Sequence, residues 1–286
     1  MAKHTFTASK NDQNRKLIKF LTSVFKDVPF SKLQKTLRSG DVKINSKRTR
    51  DGNYLLHQND LIEVFGLQED DLKLAKFDQK IALTSPIIYE DDNILLINKN
   101  EGVEVHGADN CLDQQVYSYL NFTQQDAFKP SHVGRLDKQT SGIIIYAKNY
   151  ATLSLLNKNH KNIEKIYKFI SKNPIKPDYY TVYLVKDEQN EKMKIASKNE
   201  PGALQAITKI WIQNGEYFAQ LLTGKKHQIR ITCSSLNAPI IGDIKYGGLK
   251  SARMYLHSFS ITFTNLDQHL EYLNNKTFIA QPKHWI

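Results

Sequence analysis

The chain has 286 residues, 40% of them hydrophobic, with a formal net charge of +11. That length allows two domains at roughly 100–200 residues each. The longest apolar runs, such as Ile94–Ile97 and Ile143–Ile145, are far too short to span a bilayer. Cys111 and Cys233 alone give neither a disulfide framework nor a metal-ligand spacing.

Met1–Thr5 lacks the apolar segment of a signal peptide, so a soluble, cytoplasmic protein is expected. Residues 1–66 hold 13 Lys/Arg against 6 Asp/Glu, so +7 of the charge lies in the first quarter. Such a basic excess is an electrostatic footprint for nucleic acid, although a lysine-rich solvated surface would look alike.

In chain order, the first expected domain covers residues 12–66. Asp12 is placed to cap a helix carrying Leu17, Leu21 and Val24 at helical spacing. Pro29 breaks it, Ser31 caps a second short helix with Leu33 and Leu37 on one face, and Gly40 ends that helix. Val42–Asn45 and Asp60–Phe65 alternate as strands. Lys32, Lys35 and Arg38 share an exposed helix face; Lys43, Lys47, Arg48 and Arg50 follow. Together they offer cations to a phosphate backbone. Residues 67–85, rich in mixed charge, read as a linker.

From residue 86 to 286 strands predominate. Ile87–Lys99 reads as strand, acidic turn, strand. Cys111–Leu120 and Tyr150–Lys158 read as short helices, the second with Leu153 and Leu156 inward. Ile143–Asn149, Ile163–Ile170 and Tyr255–Phe263 read as strands. Ala206–Ile212 and Tyr217–Leu222 pair through the Asn214–Gly215 turn. His227–Leu236 leads into a helix. Many strands with few helices predict an α+β fold on a mostly antiparallel, mixed β-sheet, behind a small N-terminal αβ domain.

Three stretches could carry chemistry. The loop His132–Gly142 places Arg135 and Asp137 two positions apart before a buried strand, where packing would hold a carboxylate still. An ordinary loop salt bridge is the bland alternative. Lys165-Ile166-Tyr167 lies on a strand, and Thr223-Gly224-Lys225-Lys226-His227-Gln228-Ile229-Arg230 forms a basic turn. No phosphate-binding glycine loop or Cys/His metal set is seen, which favours chemistry without a cofactor or metal.

These stretches resemble known families. Arg15–Leu21, Leu37–Asn45 and Asn59–Val64 resemble the S4 RNA-binding domain. Arg135–Gly142 looks like the central motif of RluA-type pseudouridine synthases. Around it, in that family's order, are Asp92–Lys99 with Gly102 and His106, Lys165–Tyr167, Thr223–Arg230, Pro239–Asp243, Tyr246-Gly247 and Leu256-His257.

The resemblance implies an isomerase that converts uridine to pseudouridine in RNA. Asp137 would be the catalytic aspartate. Tyr167 would stack on the flipped uracil and serve as a base, and Arg230 would pair with Asp137. RNA would be held by Lys32, Lys35, Arg38, Lys43, Lys47, Arg48, Arg135, Lys225, Lys226, His227 and Gln228. The implied partner is RNA, 23S ribosomal RNA or pre-ribosomal particles first and another structured RNA such as tRNA second. A monomer without cofactor, metal or membrane association is expected. Gly134, Asn100, Lys225, Thr232 and Ala238 differ from the usual motif residues and bear on branch and target. Rival classes are a non-catalytic ribosome-assembly factor and a glycoside hydrolase, which would want a second carboxylate facing Asp137.

Overall fold

The computed structural model describes residues 3–25, 27–67, 81–123, 128–188, 192–283 and 285. Most of the expected linker, 68–80, lies outside the described residues. The chain divides into two compact units. One is Met1–Leu83 with Asp113–Ser131 and Ala147–Leu155; the other is Thr84–Leu112 with His132–Tyr146 and Leu156–Ile286.

The first unit contains β1 (Lys3–Thr7), α1 (Leu17–Val24), α2 (Phe30–Ser39), β2 (Val42–Ile44), β3 (Lys47–Thr49) and β4 (Leu61–Phe65). The strands form a sheet in the order β1-β4-β2-β3. Leu17, Phe20 and Leu21 of α1 and Leu33 and Leu37 of α2 are buried in one cluster with Val42, Ile44, Ile62 and Val64 of the sheet. Burying each such side chain contributes about 1.5–3 kcal/mol.

Two capping expectations are corrected. Asp12 does not cap α1, which starts after Lys16 without a side-chain cap. Asp12 instead is buried in a tight turn, accepting bonds from Ser9 N–H and Oγ, both at 3.0 Å, and pairing with Arg15 at 3.2 Å. Ser31 lies inside α2, because Pro29 stands at the N-cap and its constrained backbone favours starting the helix immediately after it. β1 lies before the expected start of the domain and extends the sheet by pairing with β4.

Beyond the first sheet come β5 (Ile87–Glu90), β6 (Ile94–Lys99), α3 (Leu112–Tyr119), β7 (Ser131–His132), β8 (Ser141–Ala147) and α4 (Tyr150–Lys158). Then follow β9 (Ile163–Phe169), β10 (Asp178–Asp187), β11 (Lys192–Ala196), β12 (Leu204–Gln213), β13 (Glu216–Leu221), α5 (Gln228–Ser235), β14 (Leu256–Phe263) and β15 (Thr277–Ile279). In α4 the buried leucines are Leu155 and Leu156, while Leu153 is only half-buried.

Among the described residues the large sheet runs β11-β10-β12-β13-β9-β14-β8-β6-β5, with β15 on β14 and β7 on β8. The β10–β12, β12–β13, β13–β9 and β9–β14 pairs are antiparallel, and β14–β8 is parallel. The fold is α+β. Ile229 and Cys233 of α5 are buried with Tyr167, Phe169, Ile210, Ala219 and Leu256 of the sheet, which seats the helix on one sheet face. No helix among the described residues is long and apolar enough to cross a membrane.

Candidate active site

β8 is buried along its whole length and carries the loop that precedes it. Gly142 makes the β8–β14 pair possible. Its φ is +110°, and a Cβ there would run into the backbone of Ser258, its partner on β14. On β14, Ser258 is also paired with Tyr167 of β9. The close approach of β8 therefore carries the 134–140 loop toward the strand that bears Tyr167.

The loop is held by short bonds. The Thr140 N–H donates to Asp137 O at 3.0 Å, closing a turn. Lys99, wholly buried, donates to the carbonyls of Asn100, Val103 and Lys138 at 3.0, 2.9 and 3.1 Å. Gly102 N–H also donates to Lys138 O, at 2.9 Å. Burial pulls the Lys99 pKa down to about 8, an effect opposed by the charges of Asp137 and Glu101. Asn100 donates to Ser85 Oγ and Thr84 O at 3.0 and 2.8 Å.

Asp137, Tyr167 and Arg230 all line one cleft of about 670 Å³. Arg230 Nη1 donates to Asp137 Oδ2 at 2.8 Å, across 93 positions of sequence. Arg135 is exposed, and among the described residues it makes no ion pair with Asp137. The loop salt bridge considered from the sequence is therefore replaced by a partner from α5.

Asp243 ends the Pro239–Asp243 motif, and nothing local in the sequence marks it as a site residue. It is fully buried and grips Arg230 through two parallel bonds, Nε to Oδ2 at 2.8 Å and Nη2 to Oδ1 at 2.7 Å. Burial works against the guanidinium charge, but the bonds and charge of Asp243, and then of Asp137, raise the Arg230 pKa above that of an ordinary arginine. The Tyr246 ring lies 5.0 Å from the guanidinium carbon.

His227 stands at the start of α5 in the left-handed conformation, with φ of 57°. Its Nε2 is 3.6 Å from Asp137 Oδ2 and its Nδ1 is 2.7 Å from Tyr246 Oη. Tyr246 Oη already accepts the Met193 N–H at 3.1 Å, so its own hydrogen is available for Nδ1. That tautomer turns an Nε2–H toward Asp137. Burial, first, and the nearby cations Arg230, Lys226 and Lys245 lower the His227 pKa to about 4 against the pull of Asp137. The imidazole is thus neutral at pH 7.

Tyr167 is buried, and burial followed by the Asp137 charge raises its pKa above the ordinary tyrosine value. Its phenol keeps its proton at neutral pH.

The sites expected for RNA divide into three groups. Lys32, Lys35, Arg38, Lys47 and Arg48 are exposed on α2 and β3, and Lys43 is half-buried on β2. Arg135 and Lys225 line the cleft, while Lys226 is exposed outside its lining. Gln228 lines the cleft and also braces the basic turn. It is 2% exposed, accepts from Thr223 Oγ1 and Lys225 N–H at 2.8 and 3.0 Å, and donates to Ile207 O and Thr208 Oγ1 at 2.9 and 3.0 Å. His227 also lines the cleft, half-buried between Asp137 and Tyr246. Thr232 and Ala238 are buried, the first 3.4 Å from Thr208 Oγ1.

Comparison with known proteins converges on this region. A family model described as RNA pseudouridylate synthase matches residues 93–235. A protein of Mycoplasma capricolum subsp. capricolum called an uncharacterized RNA pseudouridine synthase is 38% identical over 98% of each chain. Ribosomal large subunit pseudouridine synthase D of Borreliella burgdorferi is 31% identical over 68% of each chain. The solved structure of human RNA Pseudouridylate Synthase Domain Containing 1 shares the fold, with a TM-score of 0.55 and 21% identity over 65% of this chain and 80% of that one. The family match runs through the loop, strand and helix that build the cleft, and sequence identity to the first relative extends over nearly the whole chain. This chain therefore belongs to the RluA-type RNA pseudouridylate synthases and is an isomerase acting on RNA.

Proposed function

We propose that the enzyme isomerises specific uridines of ribosomal RNA, the 23S molecule in particular, with Asp137 as the catalytic carboxylate. The observation that carries this reading is the 2.8 Å pair between Asp137 and Arg230 in the cleft that Tyr167 also lines. The reaction breaks the bond from C1′ to N1, turns the base and joins C1′ to C5; the hydrogen lost from C5 is balanced by one gained at N1. No redox equivalent is consumed.

A fixed carboxylate can attack the sugar or stabilise positive charge on it as the base departs. Arg230 sets the direction of that carboxylate, and His227 offers it a second, longer contact. The uridine must leave its stack to reach Asp137, and an aromatic ring provides a surface for the extruded base. The raised pKa of Tyr167 favours this stacking role over a role as base, because the phenol would first have to lose its own proton.

The small sheet and helices of the first unit support the reading of residues 12–66 as an S4-type RNA-binding domain, with Lys32, Lys35, Arg38, Lys43, Lys47 and Arg48 as contacts. The ribosomal target rests on the names of relatives such as the large subunit synthase of Borreliella burgdorferi. Cytoplasmic action by a monomer on rRNA or pre-ribosomal particles completes the proposal.

The test is pseudouridine mapping across total RNA from cells with and without the gene, and with the gene restored as wild type or Asp137→Asn. Defined 23S positions should lose their signal and regain it only with wild type. Signals lost from tRNA instead would move the target. An unchanged map, or full rescue by Asp137→Asn, would reject the mechanism.

A further inference from the structure

We infer that Lys165 and Gly134 form a phosphate-binding notch in the wall of the Asp137 cleft, which takes an RNA phosphodiester beside the uridine being isomerised. This rests on the reading of that cleft as the isomerase site.

Lys165 precedes Tyr167 by two positions on β9, and the two-residue strand period places both on one sheet face. Both line the cleft with Asp137. The ammonium of Lys165 lies against Gly134. A Cβ built on Gly134 would stand 3.0 Å from Lys165 Nζ, closer than such atoms normally approach. Gly134 also has φ of +78°, a conformation that side-chain-bearing residues adopt with strain. The volume that a side chain would fill at position 134 is thus left to the head of Lys165.

This cation has no carboxylate partner among the described residues. The adjacent acid, Glu164, accepts from Gln220 Nε2 at 2.6 Å, and Asp137 is engaged by Arg230. Of the charged side chains lining the cleft, Asp137 and Glu164 are acidic, whereas Arg135, Lys161, Lys165, Lys225 and Arg230 are basic. Burial lowers the Lys165 pKa to about 8, so its charge is held in an environment that solvates it poorly.

A half-buried ammonium without a carboxylate partner among the described residues suits an anion that arrives with the substrate, and RNA brings a phosphate on each side of every ribose. The charge-assisted contact would form as the strand enters. Because the phosphate takes no part in bond exchange, the contact is made equally in ground and transition states. It should therefore act on binding and leave the chemical step unchanged.

The experiment compares wild type with Lys165→Met, which keeps the apolar stem and removes the charge. Total ribosomal RNA from cells lacking the enzyme serves as substrate and ligand. Steady-state rates and RNA binding are measured across a series of KCl concentrations, with thermal unfolding to show that the variant folds. We expect KM and Kd to rise about tenfold, as for loss of one charged contact. We expect kcat to stay within about twofold and the log–log salt slope of binding to become shallower by about 0.7. An unchanged salt slope would overturn the inference, whether or not kcat falls, because a lysine that contacts the base releases no phosphate counterion. Failure of wild type to form pseudouridine in this RNA would reject the isomerase target, while the binding series would still report on Lys165.

Discussion

Asp243 takes two of the nitrogens of Arg230, at 2.8 and 2.7 Å, and leaves Nη1 directed at Asp137. The fork-on-fork pair fixes the plane of the guanidinium, and that plane determines where the third bond points. Asp243 does not line the cleft. It is a positioning residue, acting on the carboxylate through arginine.

Asp243→Asn should lower kcat strongly while changing the KM for RNA little. Loss of one partner from a buried ion pair costs roughly 3–5 kcal/mol. The variant should therefore also unfold at lower denaturant. Single-turnover assays beside denaturant titrations will check both. A wild-type rate in a folded variant would remove the positioning role.

Asp137→Asn behaves differently, because the Arg230–Asp243 pair survives it and Asp137 is partly exposed. Pseudouridine formation should cease, RNA affinity should stay within about threefold on the scale of surface ion pairs, and stability should change little. Binding assays and calorimetry on the same sample separate the outcomes.

Lys99→Met tests the staple beneath the loop. The substitution removes a donor shared by three carbonyls; Lys138 O keeps the Gly102 N–H, while the carbonyls of Asn100 and Val103 lose theirs, at a cost of about 1–3 kcal/mol per unsatisfied buried group. Activity should fall with stability, and no change in melting temperature would show that water replaces the ammonium without penalty.

Acid should weaken the fold through His227 and His257. Burial, the leading cause in each, lowers both pKa values from 6.5 to about 4. His257 is held between Ser141 Oγ at 2.8 Å and Ala280 O at 2.9 Å. Between pH 6.5 and about 4 the unfolded chain binds more protons than the folded one, so stability falls as pH falls through that window and is fully present above it. His257→Gln should flatten this part of the profile, measured by denaturant titration at each pH.

Replacing Lys32, Lys35 and Arg38 together with alanine should weaken RNA binding and make its salt slope shallower by about 2, if each cation meets one phosphate. kcat at saturating RNA should hold. An unaltered slope would show that this helix face is not an RNA anchor.

Much of the fold was legible because its signals are local. The Asn214–Gly215 turn specified the β12–β13 hairpin, with both residues at positive φ. The apolar run after Gly142 specified a wholly buried strand. Gly40 ended α2 in the left-handed conformation. Where the reading failed, a local signal lost to a neighbour: Asp12 was drawn into a tight turn with Ser9 and Arg15, and Pro29 displaced Ser31 as the helix boundary. β10, Asp178–Asp187, went unread although its aromatic and β-branched residues are a strand signal.

The sequence alone determined the kinds of chemistry available and their order along the chain: an aspartate in a glycine-flanked loop, a tyrosine on a strand, and an arginine beyond a basic turn. Those motifs also carried the family resemblance. Only the tertiary structure decided which charges meet. It gave Asp137 the distant Arg230 instead of the adjacent Arg135, bound Arg230 to Asp243, turned Gln228 inward and left Lys165 in the cleft without an acidic partner among the described residues. The physical reason is that side-chain type is a local property, whereas ion pairing depends on separation and burial. Both are set by strand order and by the close β8–β14 approach at Gly142.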